Sequence, residues 1–568
     1  MFRDLASMMI LFLILASAAT AAVVVDEGGT GNFTSIQDAI NASENGDVIV
    51  VLNGTYFENL IVDKSIVLKG EDFPVIKGSG LSVPLITITS DNVTLDGFNI
   101  SGSINGSFNF GSVVVLADGC KLLNSTISGS AGHGLCIRDS NDHMISGNLI
   151  IDNQYGGICF QSANSSQLIG NQVLRNGKWG IVLEGCEHDE LVRNEVRENG
   201  EVGIELISSF SNDVVWNHID LNQEDGVYFL ESRNNAIIDN GVSDNGMSGV
   251  VLDRSLDNVL MKNIIHNSGE GGLLIVGFSD GTMITENILY NNGINGISIH
   301  ESYFSTIDQN EIFDNEYNGI SLRDNSSSVR ICHNEIRGNK RYGFYLEDSN
   351  KNFAENNDVH DNLHGVIMVH SSDNILVDNE IHDNRFGFSL EFSDSVSISN
   401  NDVYNNSDDG VLIKSCDRSK VWGNHIRENG GDGVDVSGSE NIEVSRNVIE
   451  NNSKYGIQVL DYTTESLFIY NVVQHNGDGG MYIYEGEINR IISNIFEDNQ
   501  NFNARDNGQN NKWSTNFYSD YLGVSSSDHG IGTEPHAILG RRDAVTFDIH
   551  PVAVKALLVQ AQNITRLL

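Results

Sequence analysis

The chain has 568 residues and is strongly acidic, with 77 Asp and Glu against 33 Lys and Arg and a formal net charge of −44. This charge argues against nucleic acid and anionic membranes as partners, because phosphate groups are bound by Lys and Arg. It permits the binding of cations, Ca²⁺ among them, and it also keeps a large protein soluble. Composition alone therefore leaves the cofactor open.

Residues 1–22 have the organisation of a secretory signal peptide. Arg3 precedes an apolar run from Met8 to Leu15, and Ala19-Thr20-Ala21 offers small residues for cleavage. The run is short for a membrane span, and no later stretch is long enough to be one. The sequence predicts an exported protein, secreted, periplasmic or on the cell surface, with no transmembrane segment in the mature chain.

Residues 23–75 are predicted to form an N-terminal cap and the first turns of a repeat. Phe33–Ile40 has the spacing of a short amphipathic helix, with Thr34 or Ser35 as N-cap. Strand motifs follow at Val48–Val51, Gly54-Thr55-Tyr56-Phe57-Glu58 and Ile66-Val67-Leu68-Lys69-Gly70. Together these motifs resemble the opening of pectin-lyase-like right-handed β-helices, pectin methylesterases among them. The resemblance covers about fifty residues and implies the fold rather than the reaction. The downstream Gln, Asp and Arg segments of the esterases have no counterpart, so methylesterase activity is not expected.

A repeat with a period close to 23 residues dominates residues 76–500. Sixteen copies are marked by an Asn at nearly equal spacing: Asn148, Asn171, Asn194, Asn217, Asn240, Asn263, Asn287, Asn310, Asn334, Asn357, Asn379, Asn401, Asn424, Asn447, Asn471 and Asn494. A second Asn follows five positions later in fifteen of the sixteen copies, the exception being Ser268. A Gly and alternating apolar residues come a few positions further on. A fixed period of this size means that each copy is one structural unit stacked on its neighbours.

The repeat predicts an all-β protein, a right-handed single-stranded parallel β-helix with one turn, or rung, per copy. Its apolar residues alternate with polar ones, which is strand spacing, and the Asn, Asp, Ser and Gly between them tolerate tight turns. We expect inward Ile, Val, Leu and Phe to stack on their copies at ~4.8 Å. The Asn series are expected to form ladders of amide hydrogen bonds between rungs.

Cys136 and Cys159 occupy equivalent positions in neighbouring rungs. Stacking places their Cα atoms near the ~4.4–6.8 Å range of disulfides, although parallel neighbours often have unsuitable dihedral angles. Whether the two are bridged stays open at this point.

Residues 501–568 are predicted to form a C-terminal cap, with a short amphipathic tail helix over 552–568. Three motifs precede that helix: Asn511-Lys512-Trp513, Asn516-Phe517-Tyr518-Ser519-Asp520-Tyr521 and Asp528-His529-Gly530-Ile531-Gly532-Thr533-Glu534-Pro535-His536. They resemble the ending of the NosD-type β-helix family, also described as carbohydrate-binding and sugar-hydrolase domains. With the repeats, the resemblance covers nearly the whole mature chain. Thr533 and His536 depart from the Asp and Tyr of the family pattern, so no metal site is assigned to this loop.

Aligned rungs place the residues two and four positions after the repeat Gly in two outward columns. A polar group stands out in them: His300, Arg323, Tyr345, Glu347 and Glu391. A lyase or epimerase acting on a uronic acid needs a cation for the carboxylate and a base for the C5 proton. Arg323 with His300 or Tyr345 has this chemistry.

A glycoside hydrolase needs two carboxylates instead. Glu347 and Glu391 are two rungs apart, about 9.6 Å along the axis, which is near the separation used for inversion. The alternative is a ladder of surface salt bridges, Arg323 with Glu347 and Glu391 with Lys414.

A second candidate set is His360 and His382, each three residues after its ladder Asn, with Asp361 and Asp383 beside them. Two stacked imidazoles with carboxylates have the ligand chemistry of a Cu or Zn site. A surface column that also contains His266, Tyr290, Phe313 and Tyr404 explains them without a metal.

Three functions remain. The first is an exported surface protein that binds polysaccharide or glycan along the solenoid. The second is a polysaccharide lyase, glycoside hydrolase or uronate epimerase with a groove near residues 298–347. The third is a NosD-like copper-delivery accessory protein. The fold alone does not separate them, and the oligomeric state is not predicted.

Overall fold

The computed structural model describes residues 22–78, 83–102, 111–524, 530–540, 545–555 and 558. The predicted signal peptide lies outside these residues but for its last position. Most of the predicted tail helix and part of the 528–536 loop lie outside them as well. Within the described chain, no helix combines the length and the apolar character needed to cross a bilayer.

The described residues form the predicted parallel β-helix, in which three sheets wrap around one continuous core. Sheet A has the strands Val23–Val25, Val48–Val51, Val67–Gly70, Thr94–Asp96, Lys121–Leu123, Met144–Ser146, Gln167–Ile169, Glu190–Val192, Asp213–Val215, Ala236–Ile238, Val259–Met261, Met283–Thr285, Thr306–Asp308, Arg330–Cys332, Phe353–Glu355, Ile375–Val377, Ser397–Ser399, Lys420–Trp422, Glu443–Ser445, Leu467–Ile469, Arg490–Ile492 and Lys512–Ser514.

Sheet B follows the ladder Asn of each rung. Its strands are Thr55–Phe57, Val75–Lys77, Asn99–Ser101, Thr126–Ser128, Leu149–Ile151, Gln172–Leu174, Glu195–Arg197, His218–Asp220, Gly241–Ser243, Ile264–His266, Ile288–Tyr290, Glu311–Phe313, Glu335–Arg337, Asp358–His360, Glu380–His382, Asp402–Tyr404, His425–Arg427, Val448–Glu450, Val472–Gln474, Ile495–Glu497 and Phe517–Tyr518.

Sheet C contains the segment around the repeat Gly. Its strands are Leu60–Val62, Ile86–Ile88, Gly111–Val115, His133–Arg138, Ile158–Gln161, Ile181–Glu184, Ile204–Ile207, Val227–Leu230, Val250–Asp253, Leu273–Val276, Ile297–His300, Ile320–Arg323, Tyr342–Glu347, His364–Val369, Phe386–Glu391, Val411–Lys414, Val434–Ser437, Tyr455–Leu460, Gly479–Ile483, Ala504–Asp506, His536–Leu539 and Val545–Asp548. The last two pair with each other antiparallel; every other named pairing in the three sheets is parallel.

The corners of each rung are made by residues in the left-handed conformation. Arg193 (φ 53°) precedes ladder residue Asn194, and Glu198 (φ 56°) precedes the second ladder residue, Asn199. For residues other than Gly this conformation costs about 1 kcal/mol or more each. These corners turn the chain sharply and place a polar side chain, such as Asn194 or Asn199, inside the bend.

The Asn ladders satisfy the buried polar groups of these corners. Asn171 donates both its backbone N–H and its side-chain amide to Asn194 Oδ1, each at 3.0 Å. Asn194 repeats this arrangement with Asn217 at 2.8 and 3.0 Å, and its second amide proton goes to the Leu168 carbonyl at 2.8 Å. The predicted ladder is therefore confirmed, and it bonds each rung to its neighbours through side chains as well as backbone.

A Gly is required at the repeat position because neighbouring atoms lie too close for a side chain. A Cβ on Gly180 would lie 2.4 Å from Val196 Cγ1 and 2.5 Å from the Gly203 carbonyl oxygen. The Gly residues thus let the chain enter sheet C directly over the second ladder.

At the N-terminal end, Ile36–Ala42 is an α-helix whose N-cap is Ser35, one of the two predicted residues. Its buried Ile36, Ala39 and Ile40 face the first rungs. The Glu58 carboxylate accepts the backbone N–H groups of Ile36 and Gln37, both at 2.9 Å. Glu58, the last residue of the Gly-x-Tyr-x-Glu motif, therefore holds the helix start.

At the other end, the rungs continue beyond residue 500, the predicted limit of the repeats, to Phe517–Tyr518. The ladder then ends on an acid. Asn494 donates to Asn516, and Asn516 donates its backbone N–H and side-chain amide to Asp548 at 3.0 and 2.9 Å. Asp548 belongs to the antiparallel pair of strands and supplies the final acceptor that a further Asn would otherwise provide.

The gap in the second ladder at Ser268 gives a test of ladder energetics. Ser268 Oγ is buried without a hydrogen-bond partner, although its backbone N–H reaches Asn292 Oδ1 at 3.2 Å. Ser268→Asn would restore an acceptor for Asn245 and a donor to Asn292, so we expect the free energy of unfolding to rise by about 1–2 kcal/mol. Urea denaturation measures this.

The matched control is Asn292→Ser, which makes a second gap and should lower the free energy of unfolding by at least as much. If both substitutions left stability unchanged, the ladder would not contribute as described.

Candidate functional site

The first predicted group of polar side chains lies on the outer face of sheet C. The two predicted outward columns are present, since Ser298 pairs with Ser321 and His300 with Arg323 in neighbouring strands. The nearer column is nevertheless largely buried: Ser298 is 6% exposed and Ser321 fully buried. The residue before the repeat Gly lies against it, as when Asn295 Nδ2 donates to Ser298 Oγ at 2.9 Å. Sequence reasoning missed this third column, which lies directly before each repeat Gly.

The central predicted group comes together on adjacent strands. Arg323 Nε donates to Glu347 Oε2 at 2.8 Å, and its guanidinium lies 5.6 Å from the centre of the Tyr345 ring. Burial, reinforced by Glu347, raises the pKa of Tyr345 to about 12. Tyr345 is therefore a proton donor rather than a base at neutral pH. The Arg323–Glu347 ion pair is the contact that the salt-bridge alternative requires.

His300 stands beside this pair with a carboxylate of its own. Its Nδ1 lies 2.8 Å from Asp324 Oδ2. A carboxylate at Nδ1 favours the tautomer with the proton there, which makes Nε2 the basic nitrogen. Asp324, in the turn after the strand, was not among the predicted residues.

Glu391 does not join the group. Val369 lies between it and Glu347 in the register, and Lys414 is its neighbour on the other side. The two glutamates thus occupy the same column two strands apart.

The predicted histidine pair lies on sheet B. The rings of His360 and His382 stack with their centroids 4.9 Å apart, and His382 stacks on Tyr404 at 4.7 Å. Asp361 and Asp383 each contact the Nδ1 of the preceding His, at 2.8 and 2.7 Å. In the part of the chain that the structure describes, these four residues do not bring three ligand atoms within 4.8 Å of one another. The Cu or Zn site at these residues stays a prediction, whereas the aromatic stacking is seen directly in the structure.

Nearer the N-terminus, the farther column lines an open groove of about 520 Å³. Its lining is mostly polar: Arg138, Asp139, Gln161, Ser162, Glu184, Gly185, Ile207 and Ser208. Gln161 Nε2 donates to Glu184 Oε2 at 2.9 Å. We call this surface the N-terminal groove.

Aromatic side chains border the same stretch of sheet C on the side of the repeat Gly. Trp179 and Tyr155 meet edge to face with centroids 5.2 Å apart. Lys178 Nζ lies 5.1 Å from the Trp179 ring and 2.7 Å from Glu201 Oε1. Between the aromatics and the groove, Cys136 and Cys159 are buried side by side in neighbouring strands as free thiols.

A buried carboxylic acid, Glu205, lies in the same stretch of sheet C, next to Val182 of the neighbouring strand. Glu205 is 9% exposed, and its Oε2 is buried without a hydrogen-bond partner. Burial, with added repulsion from Glu201, Glu224 and Glu184, raises the pKa of Glu205 to about 7. A carboxyl group that holds its proton near neutral pH is a feature of functional sites.

Comparison with known proteins places the chain among β-helices. The family described as "Right handed beta helix region" matches residues 85–240, 217–331 and 318–473. Over 129 residues the chain is 33% identical to a protein of Methanothermus fervidus named "Cell surface glycoprotein", a match that covers 22% of this chain and 21% of that protein.

Two solved structures illustrate the structural similarity. The A-module of Azotobacter vinelandii mannuronan C-5 epimerase AlgE4 is 17% identical, with 84% of this chain and 98% of that chain covered and a TM-score of 0.25. The alginate lyase AlyF-OU02 is 13% identical, with 60% and 84% covered and a TM-score of 0.34.

The raised pKa of Glu205 predicts a pH-dependent stability. The folded protein binds this proton more tightly than the unfolded chain, so its contribution is complete below pH ~4.5 and is lost as the pH rises through about 7. Glu205→Gln removes this contribution to the pH dependence of stability. We expect the variant to gain up to about 3 kcal/mol over the wild type between pH 5 and pH 8.

Thermal unfolding of both proteins at the two pH values measures this difference. A gap between variant and wild type that does not change with pH would contradict a raised pKa at Glu205.

Proposed function

The chain belongs to the right-handed β-helix family, and from this membership we propose that it is an exported surface protein that binds polysaccharide on the outer face of sheet C. The observation that carries the proposal is the N-terminal groove with its aromatic border. Binding sites for small polar ligands are concave, with a few placed polar groups and apolar or aromatic walls. The groove supplies the polar groups, and the aromatic side chains that border it supply the apolar faces.

The two sides of the region suit the two kinds of surface that a sugar ring presents. Arg138, Gln161 and Glu184 offer planar donors and acceptors for hydroxyl groups. Trp179 and Tyr155 offer flat apolar faces with a polar edge, which suit the C–H face of a sugar. Because the lining residues come from four successive rungs, a chain of sugars can extend across neighbouring rungs.

Two further points support an exported location. The N-terminal segment has the pattern of a signal peptide, and the matched protein of M. fervidus is named a cell surface glycoprotein. The large negative charge favours neutral polysaccharides or partners that bring their own cations.

Trp179→Ala tests this placement. Loss of a flat ring beside the groove should weaken binding about tenfold, equivalent to ~1.4 kcal/mol. Trp422→Ala is the matched control, because Trp422 is exposed on sheet A and away from the groove. Affinity is measured on a panel of neutral and acidic polysaccharides by affinity electrophoresis and calorimetry. Absence of binding to the whole panel by the wild type, or equal weakening by both variants, would contradict the proposal.

A second candidate is chemistry on the polysaccharide at the central group. The observation that favours it is the His300–Asp324 pair, which presents an oriented imidazole one strand from Arg323. In this role His300 is the base, Arg323 holds a substrate carboxylate, Tyr345 donates a proton and Glu347 supplies a carboxylate. Glu391 lies two strands further along the same column.

For this candidate, the same panel is assayed for reducing ends and unsaturated uronates with and without Ca²⁺. We expect product from the wild type and a loss of at least about 100-fold in His300→Ala, as is typical of removing a general base. Arg323→Ala and Glu347→Ala should lose product as well. Binding without product would reject catalysis and leave the first proposal standing.

A further inference from the structure

Three aspartates meet on the outer side of sheet C, far along the chain from the N-terminal groove. Asp409 and Asp432 each lie directly before a repeat Gly, in successive rungs, and Asp435 lies in the strand Val434–Ser437. One carboxylate oxygen from each lies within 4.8 Å of those of the other two. Within the described residues this is the one place where three such ligand atoms converge.

The fold explains the position of two of these side chains but not their charge. Asp409 Oδ1 accepts the backbone N–H of Asp432 at 2.7 Å, and Asp432 Oδ1 accepts that of Tyr455 at 2.8 Å. Asn295 fills the same position in another rung and accepts the backbone N–H of Asn318 at 3.0 Å. A neutral Asn side chain therefore accepts the same backbone hydrogen bond. That bond does not explain why Asp409 and Asp432 are acids.

Asp435 has no structural role of this kind. It is 9% exposed, and its Oδ1 is buried without a hydrogen-bond partner. The residues paired with it in the flanking strands are Leu412 and Gln458, both uncharged. A buried carboxylate without partners is unfavourable unless a cation or hydrogen-bond donor compensates it.

The residues around the cluster supply little positive charge to compensate the three carboxylates. The positive charge of Lys454 offsets part of the upward pKa shift of all three aspartates. Its Nζ lies 3.9 Å from Asp408 Oδ1, and Arg385 lies 3.7 Å from the other oxygen of Asp408. Burial raises the pKa of Asp432 to about 7 and that of Asp435 to about 8, and the neighbouring aspartates add to both shifts. The carboxylates thus repel one another in a site with unused oxygen atoms.

We infer that Asp409, Asp432 and Asp435 form a Ca²⁺ site that joins successive rungs of the solenoid. Ca²⁺ takes oxygen ligands at about 2.3–2.6 Å, so two ligands on opposite sides of the ion are about 5 Å apart. The spacing of the three oxygens lies within that limit. The set contains no imidazole or thiolate, which excludes the ligand preference of Cu and Zn. Water would fill the remaining coordination positions, as it commonly does at Ca²⁺ sites.

This site goes beyond the proposed glycan binding and does not depend on it. The ion would neutralise charge on two consecutive rungs and tie them together where their side chains otherwise repel. Binding to the folded state alone stabilises that state by mass action.

Calorimetric titration of the EDTA-treated mature protein with CaCl₂ tests the inference, together with thermal unfolding in EDTA and in CaCl₂. We expect saturable binding and a higher Tm in CaCl₂. Asp435→Asn keeps the shape of the side chain and should lower the affinity for Ca²⁺ at least tenfold and abolish the Tm increase.

The matched control is Asp189→Asn. Asp189 is also buried, its pKa is also raised by burial, to about 7, and it lies in a ladder position where the next rung has Asn212. Its Ca²⁺ affinity and Tm increase should equal those of the wild type. Absence of saturable binding, or equal binding by wild type and Asp435→Asn, would overturn the site. An equal response to MgCl₂ would overturn its assignment to Ca²⁺, because Mg²⁺ demands shorter and more regular coordination.

Discussion

Every rung of this protein depends on hydrogen bonds to the rungs before and after it. Three corners per turn bury backbone N–H and carbonyl groups that water cannot reach, and each of these must find a partner one rung away. The Asn side chains meet this need, as Asn194 does by bonding Asn171, Asn217 and Leu168 at once. The period of the sequence follows from this requirement, because a shift of one residue would misalign every ladder.

The same register governs the chemistry of the surface. Stacking places each side chain beside its equivalents, so rings lie on rings and charges lie on charges. The column through His360, His382 and Tyr404 is an aromatic stack for this reason. Where opposite charges fall in one column, as with Arg323 and Glu347, they form an ion pair. Where acids accumulate, as at Asp432 and Asp435, burial and mutual repulsion raise their pKa values.

Function in a solenoid is therefore expected where a rung departs from its neighbours. Trp179 stands in a position that Gly156 and Val202 occupy in the adjacent rungs, and Asp435 stands between Leu412 and Gln458. Neither Trp179 nor Asp435 is needed for the stacking of the rungs, since small or neutral side chains occupy these positions in neighbouring rungs. Such departures are better guides to binding than the regular columns, whose composition the stacking itself explains.

The sequence by itself determined the parallel β-helix, the Asn ladders and the neighbours within each column, including the adjacency of His300, Arg323 and Glu347. These follow from a constant period, because equal offsets in sequence become equal positions in space. Only the tertiary structure decided that the residue before each repeat Gly lies over the nearer column. That contact buries Glu205 and Ser298 and brings Asp409 and Asp432 onto Asp435. It depends on how the corner between sheets B and C curves around its ladder Asn, and periodicity carries no information about that curvature.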